Sequence, residues 1–111
     1  MNRHIEIVAG DDYSGVRAVG GHFGYDLTGV TEVRFIVMNN QNCLNQLPVL
    51  DVVGSVLRID NSSVQINLKR QDTLKLKSGV RQYTFLIKGL LINGGVITLE
   101  RGIMTVLNGG I

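Results

Sequence analysis

The sequence predicts an antiparallel β-sandwich, and three observations carry that prediction. Apolar residues recur at every second position in several segments, turn-forming residues separate those segments, and the one helical stretch is too short to define a fold. Ile5 and Ile7, then Val33, Phe35 and Val37, then Val64, Ile66 and Leu68, then Tyr83, Phe85 and Ile87 alternate with mostly polar residues. In an extended chain such positions share one face. Glu6, Arg34, Gln65, Asn67, Gln82 and Thr84 then fall on the opposite face and are expected to meet water. Sheets with one wet side suit antiparallel pairing, whereas parallel sheets are apolar on both faces.

In chain order, further strands are expected at 15–19, 47–53, 55–59, 95–100 and 103–107, which brings the total to about eight or nine. Asp60-Asn61 separates the strand ending at Ile59 from the one at 62–68, and both residue types tolerate the positive φ of a tight turn. Asn93-Gly94-Gly95 does the same between the Tyr83 strand and the Val96 strand. Pro48 follows the polar stretch 39–46, the longest expected loop, and suits a strand start or a sheet edge, where a missing N–H costs little. The single helical turn is expected at 71–77, with Asp72 or Thr73 as its cap and Gly79 as its stop. No repeat, linker or low-complexity tract interrupts the chain, so residues 1–111 read as one sandwich domain whose architecture resembles immunoglobulin-like folds.

A chain of 111 residues buries about two-thirds of its unfolded surface and needs no metal or disulfide to fold. Charged residues make up 18% against 44% apolar. That is below the roughly 25% charge of an average soluble protein and leaves apolar surface for a partner to cover. The apolar runs are far shorter than the roughly 20 residues a bilayer span needs, so no membrane partner is expected. The first residues enter an alternating pattern without a secretory apolar stretch, and Cys43 is the sole cysteine. Both features suit folding in a reducing cytoplasm. A net charge of +2 falls well short of a dedicated nucleic-acid binder.

Catalysis needs a constellation, and the residues do not offer one. His4 and His22 lack metal-ligand spacing, and with Asp11, Asp12 and Cys43 they form no paired motif of a metal site. The segment around Asp11-Asp12 reads as a turn leaving the first strand, without the alternating oxygens and distal Glu of a calcium loop. Gly20-Gly21-His22-Phe23-Gly24 precedes further turn signals and a strand, so it reads as a connection and not a phosphate cradle. Cys43 has no neighbouring His to activate it. Asn61-Ser62-Ser63 matches a glycosylation sequon and marks a turn. No enzyme activity and no cofactor are expected. The one charged cluster is Lys69, Arg70, Lys75, Lys77 and Arg81, five cations against Asp72. It is a candidate polyanion or partner contact, with a solvated, edge-protecting crossover as the plainer reading. No aromatics interleave to stack bases, so any nucleic-acid binding is expected to be weak and salt-sensitive.

Asp26-Leu27-Thr28-Gly29, running into the alternating strand at 30–37, resembles a segment of small bacteriophage and prophage tail proteins, including the N-terminal domain of phage baseplate upper proteins. Asp72-Thr73-Leu74 followed by Gly79 and Tyr83, and the closing hairpin at 95–106 with Gly102 before the last strand, are similar to further segments of those proteins in the same order. The resemblance covers residues 5–106 and implies an immunoglobulin-like virion module, with other tail proteins as partners and no catalytic residues. The expected function is therefore tail or baseplate assembly or attachment, through self-association into a homo-oligomer and contacts with neighbouring virion proteins, after synthesis in the bacterial cytoplasm. A stand-alone module binding a polyanion or carbohydrate, on the cationic cluster or the 39–46 loop, is the alternative. The scarcity of aromatic platforms weighs against carbohydrate.

Overall fold

A computed structural model describes residues 4–18, 27–38, 49–52, 63–76 and 83–107, together with the backbone of 56–58. Eight strands and one short helix occur among these residues: β1 (His4–Val8), β2 (Tyr13–Ala18), β3 (Val30–Met38), β4 (Leu50–Val52), β5 (Val56–Arg58), β6 (Ser63–Leu68), α1 (Arg70–Thr73), β7 (Tyr83–Leu91) and β8 (Val96–Leu107). They form a five-stranded sheet of order β1-β8-β7-β3-β4 and a three-stranded sheet of order β2-β6-β5. The expected all-β sandwich is thus the observed one.

The alternating residues do what their spacing predicts. Ile5 and Ile7 of β1, Phe35 and Val37 of β3, Val64, Ile66 and Leu68 of β6, and Phe85 and Ile87 of β7 are all buried in one core between the sheets. Phe35 and Phe85 stack at its centre with ring centroids 6.0 Å apart. Each such ring, fully buried, contributes about 1.5–3 kcal/mol of transfer free energy.

Four expectations need correction. The sheets are not purely antiparallel, because β1 pairs parallel to β8, His4 opposite Ile103 through Val8 opposite Leu107. β1 reaches its sequence neighbour β2 by crossing to the other sheet, so no hairpin dictates its direction. The two strands expected at 95–100 and 103–107 are one, β8, twelve residues long. It carries a bulge in which Leu99 and Glu100 both lie inside: Glu100 stands opposite Ile87 and Thr98 opposite Lys88, leaving Leu99 as the extra residue. Thr84 is buried, although its position in the alternation points it to the outer face.

The helix is α1 at 70–73, one residue earlier and shorter than expected at 71–77. Asp72 serves it from the third helical position, where its carboxylate accepts from the Lys69 N–H at 3.1 Å. Thr73 is buried, and its hydroxyl accepts from the Gly10 N–H (3.1 Å) while lying 2.9 Å from the Asp11 carbonyl. The Asp12 carboxylate accepts from the Arg70 N–H at 2.8 Å. The Asp11-Asp12 turn is therefore tied to α1 by side-chain caps. Of the acidic pair, Asp12 acts through its carboxylate and Asp11 through its backbone.

Candidate functional site

Apart from the charges around α1, the described residues gather charged side chains between the sheets and on the outer face of the five-stranded sheet. Between the sheets, Arg17 of β2 reaches Glu100 of β8, with Nε and Nη2 each 2.9 Å from the same carboxylate oxygen. The Glu100 side chain is 0% exposed and that of Arg17 19%. The guanidinium lies 5.5 Å from the Phe85 ring centroid, and its Nη1 donates to the His4 carbonyl at 3.3 Å. Burial pushes the nearby Tyr13 hydroxyl above its ordinary value of 10.0; the Arg17 charge offsets part of that rise and Glu100 adds to it. Arg17 has little open side left, so this cluster ties the sheets together and does not present a ligand site.

The second place is the outer face of the five-stranded sheet. Cross-strand pairing sets out its side chains in rows. Glu32, Leu90 and Val96 form the first, Arg34, Lys88 and Thr98 the second, and Asp51, Ile36, Leu86 and Arg101 the third. An open groove of about 290 Å³ runs across them, lined by Glu32, Arg34, Ile36, Lys88, Leu90 and Val96. Arg34 holds two carboxylates, Glu32 at 3.1 Å and Asp51 at 3.2 Å. Lys88 stands directly opposite Arg34 and turns its Nζ to the Thr98 hydroxyl at 3.1 Å. Two like charges facing each other across a strand pair cost free energy in the isolated domain.

At the end of the groove is the β7–β8 hairpin. Its turn is fixed by three hydrogen bonds: Leu91 N–H to Gly95 carbonyl (2.7 Å), Gly94 N–H to Leu91 carbonyl (2.9 Å) and Gly95 N–H to Asn93 Oδ1 (2.8 Å). Gly94 supplies a φ of +89°, which glycine adopts at no steric cost. The Ile92 N–H is held by the Gly29 carbonyl at 3.2 Å. This ordered turn carries Ile92 at 85% exposure, and Val96 beside it is 61% exposed. Turn tips are ordinarily polar, and the exposed Ile92 departs from that pattern.

The residues singled out in the sequence lie elsewhere. Lys69, Arg70 and Lys75 are exposed around α1, while Lys77 and Arg81 lie outside the described residues, so the five are not shown to form one patch. Cys43, His22, the glycine-rich 20–24 segment, the 39–46 loop, Pro48 and the Asp60-Asn61 turn also lie outside them. His4 Nε2 is 2.9 Å from the Thr105 hydroxyl. Among the described residues no three His, Cys, Asp or Glu side chains gather to hold a metal, and no helix is long and apolar enough to cross a membrane. Sequence reading missed Glu32, Lys88, Ile92 and Val96. The available signal was Ile92, an apolar residue directly before the Asn93-Gly94 turn.

The strand order defines the class. β2-β6-β5 and β8-β7-β3-β4 are the two sheets of an immunoglobulin-like sandwich of the variable arrangement, with the first strand moved onto the last. Tyr83 begins β7 two residues before Phe85, where immunoglobulin domains carry their corner tyrosine and second cysteine. No protein-family model matches the chain, and no curated protein does. A solved structure of the NK cell receptor NKp44, a triggering partner in natural cytotoxicity, is similar over 96% of this chain and 98% of that one. Its TM-score is 0.48 and its sequence identity 8%, a likeness that carries no functional argument.

Proposed function

We propose that the chain is a non-enzymatic structural protein of a phage or prophage virion, an assembly or attachment module of the tail or baseplate that works by contacts with itself and with neighbouring tail proteins. The observation that carries this reading is the hairpin that fixes Ile92 in solvent at the end of a groove of mixed charge. Order at an exposed apolar tip costs conformational entropy and solubility, and a contact made through that tip offsets both.

The order of phage-like motifs supports the same reading. Leu27 is fully buried beside Gly29, which has a φ of +78°, and Thr73 ties the first turn to α1. These motif residues hold a scaffold, which is what a structural module asks of them. The low charged fraction of 18% fits a domain that works while partly covered.

The test is composition of particles. Virions induced from a host carrying the gene are purified and analysed by mass spectrometry, and the gene is deleted in parallel. The chain is expected in the particle at several copies, with tail-defective particles after deletion. Particles that lack the chain, or intact infectious particles without the gene, refute the assignment.

A further inference from the structure

We infer that the outer face of the five-stranded sheet is a self-docking surface, occupied by a second copy of this chain about a two-fold axis perpendicular to the strands. This rests on the reading of the chain as an assembly module and adds the contact it uses. Charge registration selects the axis. A two-fold running parallel to the strands over the β3–β7 boundary lays Arg34 on Lys88 of the copy, cation against cation. A two-fold perpendicular to the strands, between the first and second rows, exchanges those rows. Glu32 of each copy then faces Arg34 of the other, twice per dimer, so the central charges pair although the three rows together, with Asp51, Lys88 and Arg101, carry three cations against two carboxylates. An isologous contact must be self-complementary in this way.

The same axis places the apolar groups. Continuing the alternation of β7 past Leu90 puts Ile92 one row beyond Glu32, and the two-fold brings that row over the third row of the copy. There it comes against Ile36, the half-buried apolar residue that lines the other end of the groove, while the neighbouring Leu86 is already covered within the chain. One operation thus pairs both the charges and the exposed isoleucine. The copies stack as aligned sheets about 10 Å apart, as packed sheets do.

Size sets the strength. From Leu86 to Ile92, over four strands, the patch spans roughly 20 Å by 20 Å, on the order of 400 Å² in projection. That is half of the roughly 800 Å² per partner of a standard interface, so association is weak and reversible and becomes useful when many copies are tethered side by side.

Sedimentation velocity over a concentration series tests this with four chains: wild type, Glu32→Arg, Arg34→Glu and Ile92→Asp, each first checked for native circular dichroism. Wild type is expected to move from monomer to dimer at high concentration. Each charge reversal sets like charges face to face and weakens the dimer at least about tenfold. Mixing the Glu32→Arg and Arg34→Glu chains restores it, because one offers two cations and the other two carboxylates. Ile92→Asp weakens it about tenfold without touching the sheet; should Arg34→Glu fail to fold, this variant and Glu32→Arg carry the test. A control, Val16→Asp on the other sheet, leaves the dimer intact. Wild type that stays monomeric, a dimer indifferent to these substitutions, a dimer lost with Val16→Asp, or growth beyond the dimer each overturns the proposal. A monomeric chain that is nevertheless found in purified particles overturns the self-contact alone and leaves the assembly assignment standing.

Discussion

Replacing Arg17 by methionine should destabilise the domain far more than replacing Glu100 by glutamine, although both break the same ion pair. Arg17→Met leaves a carboxylate at 0% exposure without its guanidinium, and breaking a buried pair in this way costs about 3–5 kcal/mol. It also removes the cation over Phe85 and the bond to the His4 carbonyl. Glu100→Gln keeps the shape and one acceptor, and Arg17, 19% exposed, retains both other contacts. The loss there is that of a hydrogen bond to a charged group, about 1.5–3 kcal/mol. At about 4 °C per kcal/mol for a chain of this length, Arg17→Met lowers Tm by roughly 12–20 °C. The double variant carries neither charge and should be more stable than the sum of the singles implies, by about 2 kcal/mol. Urea unfolding followed by circular dichroism on all four chains completes the cycle. Equal single costs, or a coupling below about 0.5 kcal/mol, would refute the view that the pair is held in a desolvated core.

Two threonines separate a bonded from an unbonded hydroxyl. Thr73→Val strands the Gly10 N–H and should cost about 1–3 kcal/mol by chemical denaturation. Thr84→Val removes a buried hydroxyl that has no hydrogen-bond partner among the described residues, and should leave the urea midpoint unchanged or raise it. Gly89→Ala drives a methyl group to 3.1 Å from both Val30 methyls and 3.3 Å from Leu99, and should cost about 1–3 kcal/mol with a loss of expression in the soluble fraction. Tyr13 titrates above 10.0 in the folded chain, so the unfolded chain releases its proton first. The stability tied to neutral Tyr13 is complete below pH 10.0 and is lost as pH rises through the higher folded value, a slope that Tyr13→Phe should abolish in Tm measured across alkaline pH.

The sandwich was legible because its signal is local. A buried face shows itself as a period of two, which β6 displays over its whole length and β3 over residues 33–37, whereas in β7 residues 83–87 are all buried and only the inward residues Tyr83, Phe85 and Ile87 follow it. What the alternation cannot carry is anything set by a partner strand. β1 has the same period whether it lies parallel or antiparallel to β8, so its direction is invisible until the sandwich is assembled. The bulge at Leu99 and Glu100 adds one residue to one strand only, and a count made along that strand cannot reveal a mismatch with β7. The groove was missed for the same reason. Glu32, Arg34 and Lys88 are ordinary solvent-face residues one by one, and only the register of β3 against β7 sets two cations side by side.

A buried ion pair ties the sheets of this sandwich where other domains use a cross-link. Immunoglobulin domains join the two layers with a disulfide from the second strand to the strand holding the corner tyrosine. With Cys43 as its only cysteine, this chain has no internal disulfide, and Phe85 stands two residues after Tyr83 where the second half-cystine would be. β2 instead sends Arg17 over Phe85 to Glu100, which shares the inner face with Met104 and Val106 of its own strand and with Ile87 opposite. A disulfide acts largely by restricting the unfolded chain, whereas this tie acts in the folded state and depends on keeping its charges out of water. Deleting Leu99 would return β8 to plain alternation, with Thr98 outward opposite Lys88 and Glu100 still inward opposite Ile87, so it removes a buried leucine and spares the tie that Arg17→Met breaks. In the Leu99-deleted background Arg17→Met should therefore still cost about 3–5 kcal/mol by urea unfolding, and a cost near zero there would show that Glu100 had left the core.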